Sequence, residues 1–133
     1  NGGNYKKRIG GVYMAFVHAT ITVNNMEESL KFYQDIVKLN IDRKFTSESG
    51  PEIVFLGDGE TKVELIHYGQ GEKVNLGKDI ALGFLVDSLE EKMDFVKEMG
   101  TAIHSGPFQP NPNTRFFYVQ DPNGLRIQFI EIS

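Results

Sequence analysis

VHATITVNNMEE, residues 17–28, and IALGFLVDSLEE, residues 80–91, are two versions of one phrase. Each begins with a run that reads as a strand and ends in a residue suited to cap a helix, Asn25 or Ser88. A glutamate follows three positions later, Glu28 or Glu91, which is the spacing of a capping box. Beyond the caps the apolar residues fall at helical spacing: Met26, Leu30, Tyr33 and Val37 in the first half, Leu89, Met93 and Val96 in the second. Gly100 stands where a left-handed residue would end the second helix.

Around these phrases the rest of the chain falls into the same order twice. FVHATITV, MEESLKFYQDIV, EIVFLGD and TKVELIHY are echoed by IALGFLV, LEEKMDFVKEMG, RFFYVQD and LRIQFIEI. LGDGE and DPNG carry the turn chemistry of hairpin connections between alternating runs. HSGPFQPNPNT, with three prolines, reads as a loop over a cavity mouth. Strand, helix and further strands, given twice, predict an α+β domain in which each half curves a sheet around a concave face and keeps its helix outside. The expected limits are a loose N-terminal segment at 1–14 and one domain at 15–133, divided into modules at 15–77 and 78–133.

Bulk properties narrow the function. A chain of 133 residues supports one core, and no apolar run approaches the ~18 residues of a membrane-spanning helix. Fourteen basic against eighteen acidic residues leave a net charge of -4, without the basic stripe that nucleic-acid binding requires. Absence of cysteine excludes disulfides, thiolate nucleophiles and cysteine-ligated zinc, and fits a reducing, cytoplasmic setting. The opening NGGNYKKRIGG lacks the apolar core of a secretory signal.

Strand periodicity sorts the side chains by face. Val17, Ala19, Ile21 and Val23 are expected under the helix, with His18, Thr20 and Thr22 on the concave side. Val63 and Leu65 belong under the helix, with Lys62, Glu64 and Ile66 opposite. In the second half, Ile80, Leu82, Phe84, Val86, Ile127 and Phe129 are expected to be buried, while Ala81, Gly83, Leu85, Arg126, Gln128 and Ile130 line the concave side. A polar concave face in a well-patterned sheet implies solvent or a ligand cavity.

These residues carry a resemblance. The doubled βαβββ pattern, with VHATITVNNMEESLKFY, VELI, IALGFLVDSLEE and FFYVQDPNGLRIQFIE, resembles the vicinal oxygen chelate superfamily over residues 15–132. That superfamily includes glyoxalase I (lactoylglutathione lyase), extradiol dioxygenases, fosfomycin-resistance transferases and metal-free bleomycin-resistance proteins. The resemblance implies the glyoxalase/bleomycin-resistance fold, a small-molecule ligand in the cleft and a homodimer. In the metal-dependent members, each module gives a divalent ion one ligand from its first strand and one from its last. His18, Glu64 and Gln128 fall on three of those positions. Counting from Val86 as the partner of Val23 puts Ala81 on the fourth, whereas matching DIAL to the HIAL often seen there puts Asp79 on it and demands a bulge. The donor types suit nickel, zinc, cobalt or manganese. Glu64 would be the catalytic proton carrier, and Thr20, Thr22 and Arg126 substrate contacts. Thr22 replaces the arginine with which some glyoxalases hold glutathione. The alternative implied is a metal-free binding protein of the bleomycin-resistance type, without catalysis. Arg115 is a further candidate for an anionic ligand, and Phe55, Phe117 and Tyr118 for a flat one. His67 is expected on the helix side and His104 in a loop.

Overall fold

The structure, a computed structural model, describes residues 7–8, 11–12, 14–69 and 73–133. The expected loose segment at 1–14 falls largely outside these. Its described part includes two short strands, β1 (Lys7–Arg8) and β2 (Gly11–Val12), paired antiparallel. Module one contains β3 (His18–Thr22), helix α1 (Met26–Lys31), a π-helical turn (Phe32–Ile36), β4 (Ile41–Thr46), β5 (Glu52–Leu56) and β6 (Lys62–His67). Module two contains β7 (Ala81–Leu85), α2 (Leu89–Glu98), β8 (Ser105–Asn111), β9 (Thr114–Gln120) and β10 (Arg126–Ile132). The sheets have equivalent orders, β3-β6-β5-β4 and β7-β10-β9-β8, with the first and last strands of each module parallel. Both modules are therefore βαβββ units.

The caps form as the spacing implies. Asn25 Oδ1 accepts from the Glu28 N–H at 2.9 Å, and Ser88 Oγ from the Glu91 N–H at 3.2 Å. The Leu89 N–H is taken by Glu131 Oε1 at 2.7 Å, which ties α2 to the last strand. Both helices end in a left-handed residue, Lys38 (φ 73°) and Gly100 (φ 83°). Lys38 comes twelve residues after Met26, and Gly100 eleven after Leu89. The first helix thus carries one residue more, which the π-helical turn absorbs by widening its ring while keeping Phe32, Tyr33 and Ile36 buried.

Two sequence expectations are corrected. HSGPFQPNPNT is mostly strand, not loop: β8 occupies Ser105–Asn111 with two register shifts against β9. It is an edge strand, where proline costs no ladder hydrogen bond on the open side. Ile80, expected to be buried, is 55% exposed because β7 begins only at Ala81. Ile21, Val23, Val63, Leu65, Ile127 and Phe129 are in the core and Leu82, Phe84 and Val86 are partly buried against it, whereas Val17 and Ala19 are only half-buried.

A contiguous core joins the modules, with Met26, Tyr33 and Ile36 of the first and Leu89, Val96, Phe117, Ile127 and Phe129 of the second. Each such side chain contributes roughly 1.5–3 kcal/mol by burial. Between the modules, Lys92 Nζ of α2 donates to the Ile36 carbonyl and lies 4.7 Å from the Phe129 ring centroid. Burial, with Lys38 nearby, pulls its pKa down to about 8. The lowered value means that the folded state releases a proton near pH 8 that the unfolded chain keeps to its ordinary range. Stability should therefore rise with pH between about 8 and 10, and this contribution should be flat below. Urea unfolding across that window should show the rise in the wild type and lose it in Lys92→Met; equal pH slopes in the two proteins would contradict the assignment.

Candidate functional site

The concave face of module one brings His18, Thr20 and Glu64 together. Parallel pairing of β3 with β6 sets Thr20 opposite Glu64 and His18 opposite Lys62. Thr20 Oγ1 donates to Glu64 Oε1 at 2.5 Å, and His18 Nε2 lies 3.4 Å from the same oxygen. That separation is longer than an ordinary N–H···O hydrogen bond. It equals the bite of two donors each about 2.1 Å from one tetrahedrally coordinated ion. The His18 ring stands edge-on to Phe55, 5.5 Å between centroids, which fixes the imidazole. Its side chain is 39% exposed against 14% for Glu64, so the pair is open to a ligand on one side.

Thr20, expected as a substrate contact, is engaged as the orienting donor of Glu64. Thr22 lies farther along β3, opposite Ile66. Phe55 is buried and stacks on Phe45, with the Arg43 guanidinium 4.3 Å from its ring centroid. Arg43 and Phe45 sit on β4, which sequence periodicity does not reveal. The strand is exposed throughout and shows no buried face to find it by.

Gln128 lies in the other sheet, opposite Gly83 and Tyr118 on the neighbouring strands. Its Nε2 donates to the Tyr118 hydroxyl at 3.2 Å, which leaves Oε1 as the atom that could hold a metal. A methyl at Gly83 would come within 2.8 Å of that oxygen, so glycine gives the amide its space. Register decides which residue of β7 matches His18. Ala81 pairs with Arg126 as His18 pairs with Lys62, and Gly83 with Gln128 as Thr20 with Glu64. No register shift interrupts β7, so the bulge that would bring Asp79 onto the sheet is not there. Among the described residues, no three His, Asp or Glu side chains converge. His18 and Glu64 could hold a divalent ion only as a pair, and Gln128 in the other sheet could add one neutral oxygen.

The remaining candidates are accounted for. Arg115 is ion-paired with Glu90 on α2, and that hydrogen bond holds the Glu90 carboxyl below its ordinary range. Phe117 is fully buried in the core. His67 lines a groove beside α1, and His104 precedes β8 with Nδ1 3.0 Å from Ser105 Oγ. No described helix is long and apolar enough to cross a membrane.

Residues 15–129 match the Glyoxalase/Bleomycin resistance protein/Dioxygenase superfamily. The chain belongs to this superfamily. A lactoylglutathione lyase of Neisseria meningitidis serogroup A is 32% identical over 128 residues, covering 89% of this chain and 91% of the relative. The trypanothione-dependent glyoxalase I of Leishmania major superposes with a TM-score of 0.78 at 21% identity, covering 90% of this chain and 87% of that one. TnmS3, an antibiotic binding protein from Streptomyces sp. CB03234, superposes at 0.73 and 17% identity, covering 91% and 98%. At such identities the superpositions speak for the glyoxalase fold alone, which serves an enzyme in one neighbour and a binding protein in the other.

Proposed function

We propose that this glyoxalase-superfamily chain is a metal-assisted lyase or isomerase acting on a small molecule with adjacent oxygen functions. The observation that carries the reading is the His18 Nε2–Glu64 Oε1 separation of 3.4 Å, with Thr20 holding the same carboxylate. His18, Glu64 and the Oε1 atom of Gln128 would hold a divalent ion such as nickel or zinc, which supplies Lewis-acid stabilisation of an enediolate when bound. Glu64 carries the proton between the neighbouring carbons, because a carboxylate held by Thr20 is a base and the amide of Gln128 is not. A homodimer placing module one of one copy against module two of the other would complete this donor set, and the exposed Phe16, Phe45, Leu85 and Phe108 supply apolar surface for it.

The test is stoichiometric nickel or zinc uptake by the purified protein, followed by turnover of methylglyoxal with several thiols. His18→Ala and Glu64→Ala should each lower metal affinity at least about tenfold, or ~1.4 kcal/mol. Unchanged affinity in both variants would end the enzyme reading. The second reading, a metal-free binding protein, is favoured by one feature: the fourth position is Ala81, which offers no ligand.

A further inference from the structure

The geometry points to an oxyanion subsite centred on Arg126, which takes a carboxylate or phosphate group of the ligand. A cavity of about 1000 Å³ lies where β7 and β10 begin, lined among others by Lys73, Lys78, Asp79, His104, Gln120 and Arg126. Three basic side chains against one acidic one stand out in a chain whose net charge is -4. Such a cavity lowers the energy of an anion before any specific contact is made.

Arg126 supplies the contact. It is the first residue of β10, held between Ala81 on β7 and Gln120 on β9. Its guanidinium carbon lies 4.8 Å from the Tyr118 ring centroid, so the ring supports the cationic group. Arg126 Nε is buried and has no hydrogen-bond partner among the described residues. A buried N–H without an acceptor is destabilising, and a small rotation of the side chain that opens it to the cavity would let the Nε–H and a terminal N–H present a fork that matches two oxygens.

The register gives the blank position a use. Where module one sets the His18 imidazole opposite Lys62, module two sets a methyl opposite Arg126. No imidazole stands beside the guanidinium in module two, because the neighbouring strand carries alanine there. Arg126 and Gln128 share the concave face two residues apart, about 7 Å along the strand, so an anion held at Arg126 extends its parent molecule towards Gln128. The subsite gives the substrate a negative charge at one end and rests on the proposed function for its link to a reaction. Anion binding itself needs no metal.

The experiment follows the arginine Nε–H signals of the full, metal-free chain by 15N–1H spectroscopy during titration with inorganic phosphate and, separately, acetate at constant ionic strength. The Arg126 signal, assigned through Arg126→Lys, should shift saturably with at least one anion, and the tighter of the two identifies the group. Lys73→Ala combined with Lys78→Ala should weaken that binding about tenfold, whereas His18→Ala should leave it unchanged. An Arg126 signal that neither anion moves, or a titration unaffected by loss of both lysines, would overturn the subsite. A normal titration beside absent metal binding would leave it standing while removing the lyase reading. Should Arg126→Lys fail to fold, Arg8→Lys, Arg43→Lys and Arg115→Lys assign the Arg126 signal by elimination.

Discussion

Replacing Asp121 with alanine should destabilise the protein by about 3–5 kcal/mol, out of a total typically 5–15 kcal/mol, as read from urea unfolding. Asp121 is 4% exposed and begins the DPNG turn. Its Oδ1 accepts from the Asn123 N–H at 2.8 Å and the Leu125 N–H at 2.9 Å, and its Oδ2 from the Tyr33 hydroxyl at 2.7 Å and Asn123 Nδ2 at 3.2 Å. Asn123 in turn donates to Ser29 Oγ at 3.1 Å and accepts from the Asn24 N–H at 2.8 Å. Burial, reinforced by the Asp121 charge, pushes the Tyr33 hydroxyl well above its ordinary range, so it remains a donor at every working pH.

Alanine would strand several of these donors at once, each costing about 1–3 kcal/mol without simple additivity. Asp121→Asn keeps one acceptor oxygen and should cost clearly less. In a Tyr33→Phe background, which removes the most deeply buried donor, Asp121→Ala should also cost less than in the wild type. Full additivity of the two substitutions, or a loss below about 1 kcal/mol for Asp121→Ala alone, would show that the network does not hold the modules together. Asn24 lies just past β3, so loosening the turn should also reach the strand that carries His18 and Thr20.

The DPNG turn shows how far sequence could be read here. As a hairpin signal it located β9 and β10 correctly, because turn chemistry is local. Its larger role as the clasp between modules was not legible, since its partners Asn24, Ser29 and Tyr33 lie 88 to 99 residues away along the chain. The same division applies to the site. Alternation alone put His18, Thr20 and Glu64 on one face, and the internal echo marked Ala81 as the position matching His18. The 3.4 Å approach and the engagement of Thr20 with Glu64 depend on strand register, which a period of two leaves open by any even shift. β4 and β8 were missed because both are exposed edge strands, one without a buried face and one rich in proline, and periodicity has little to act on in either.

Installing the absent imidazole and strengthening the amide donor, Ala81→His together with Gln128→Glu, should raise zinc or nickel affinity at least about a hundredfold, or ~2.7 kcal/mol. Register supports the design. Ala81 stands in the sheet as His18 does, and position 128 as Glu64 does, so the pair would give module two an imidazole and a carboxylate in matching places. Gly83 leaves the space that the side chain at position 128 uses, so adding Gly83→Ala should reverse part of the gain by displacing it. The imidazole would also stand beside Arg126 on the neighbouring strand, so the double variant should bind phosphate or acetate more weakly than the wild type. Calorimetry separates the cases. A gain from a wild type that already binds metal would mark the natural site as a weakened enzyme centre. A gain from a wild type that binds none would mark the concave face as a binding surface that lacks the donors restored at positions 81 and 128. Unchanged affinity in the double variant would mean that the two modules do not meet around one ion at all, and that His18 and Glu64 serve the cleft only as polar lining.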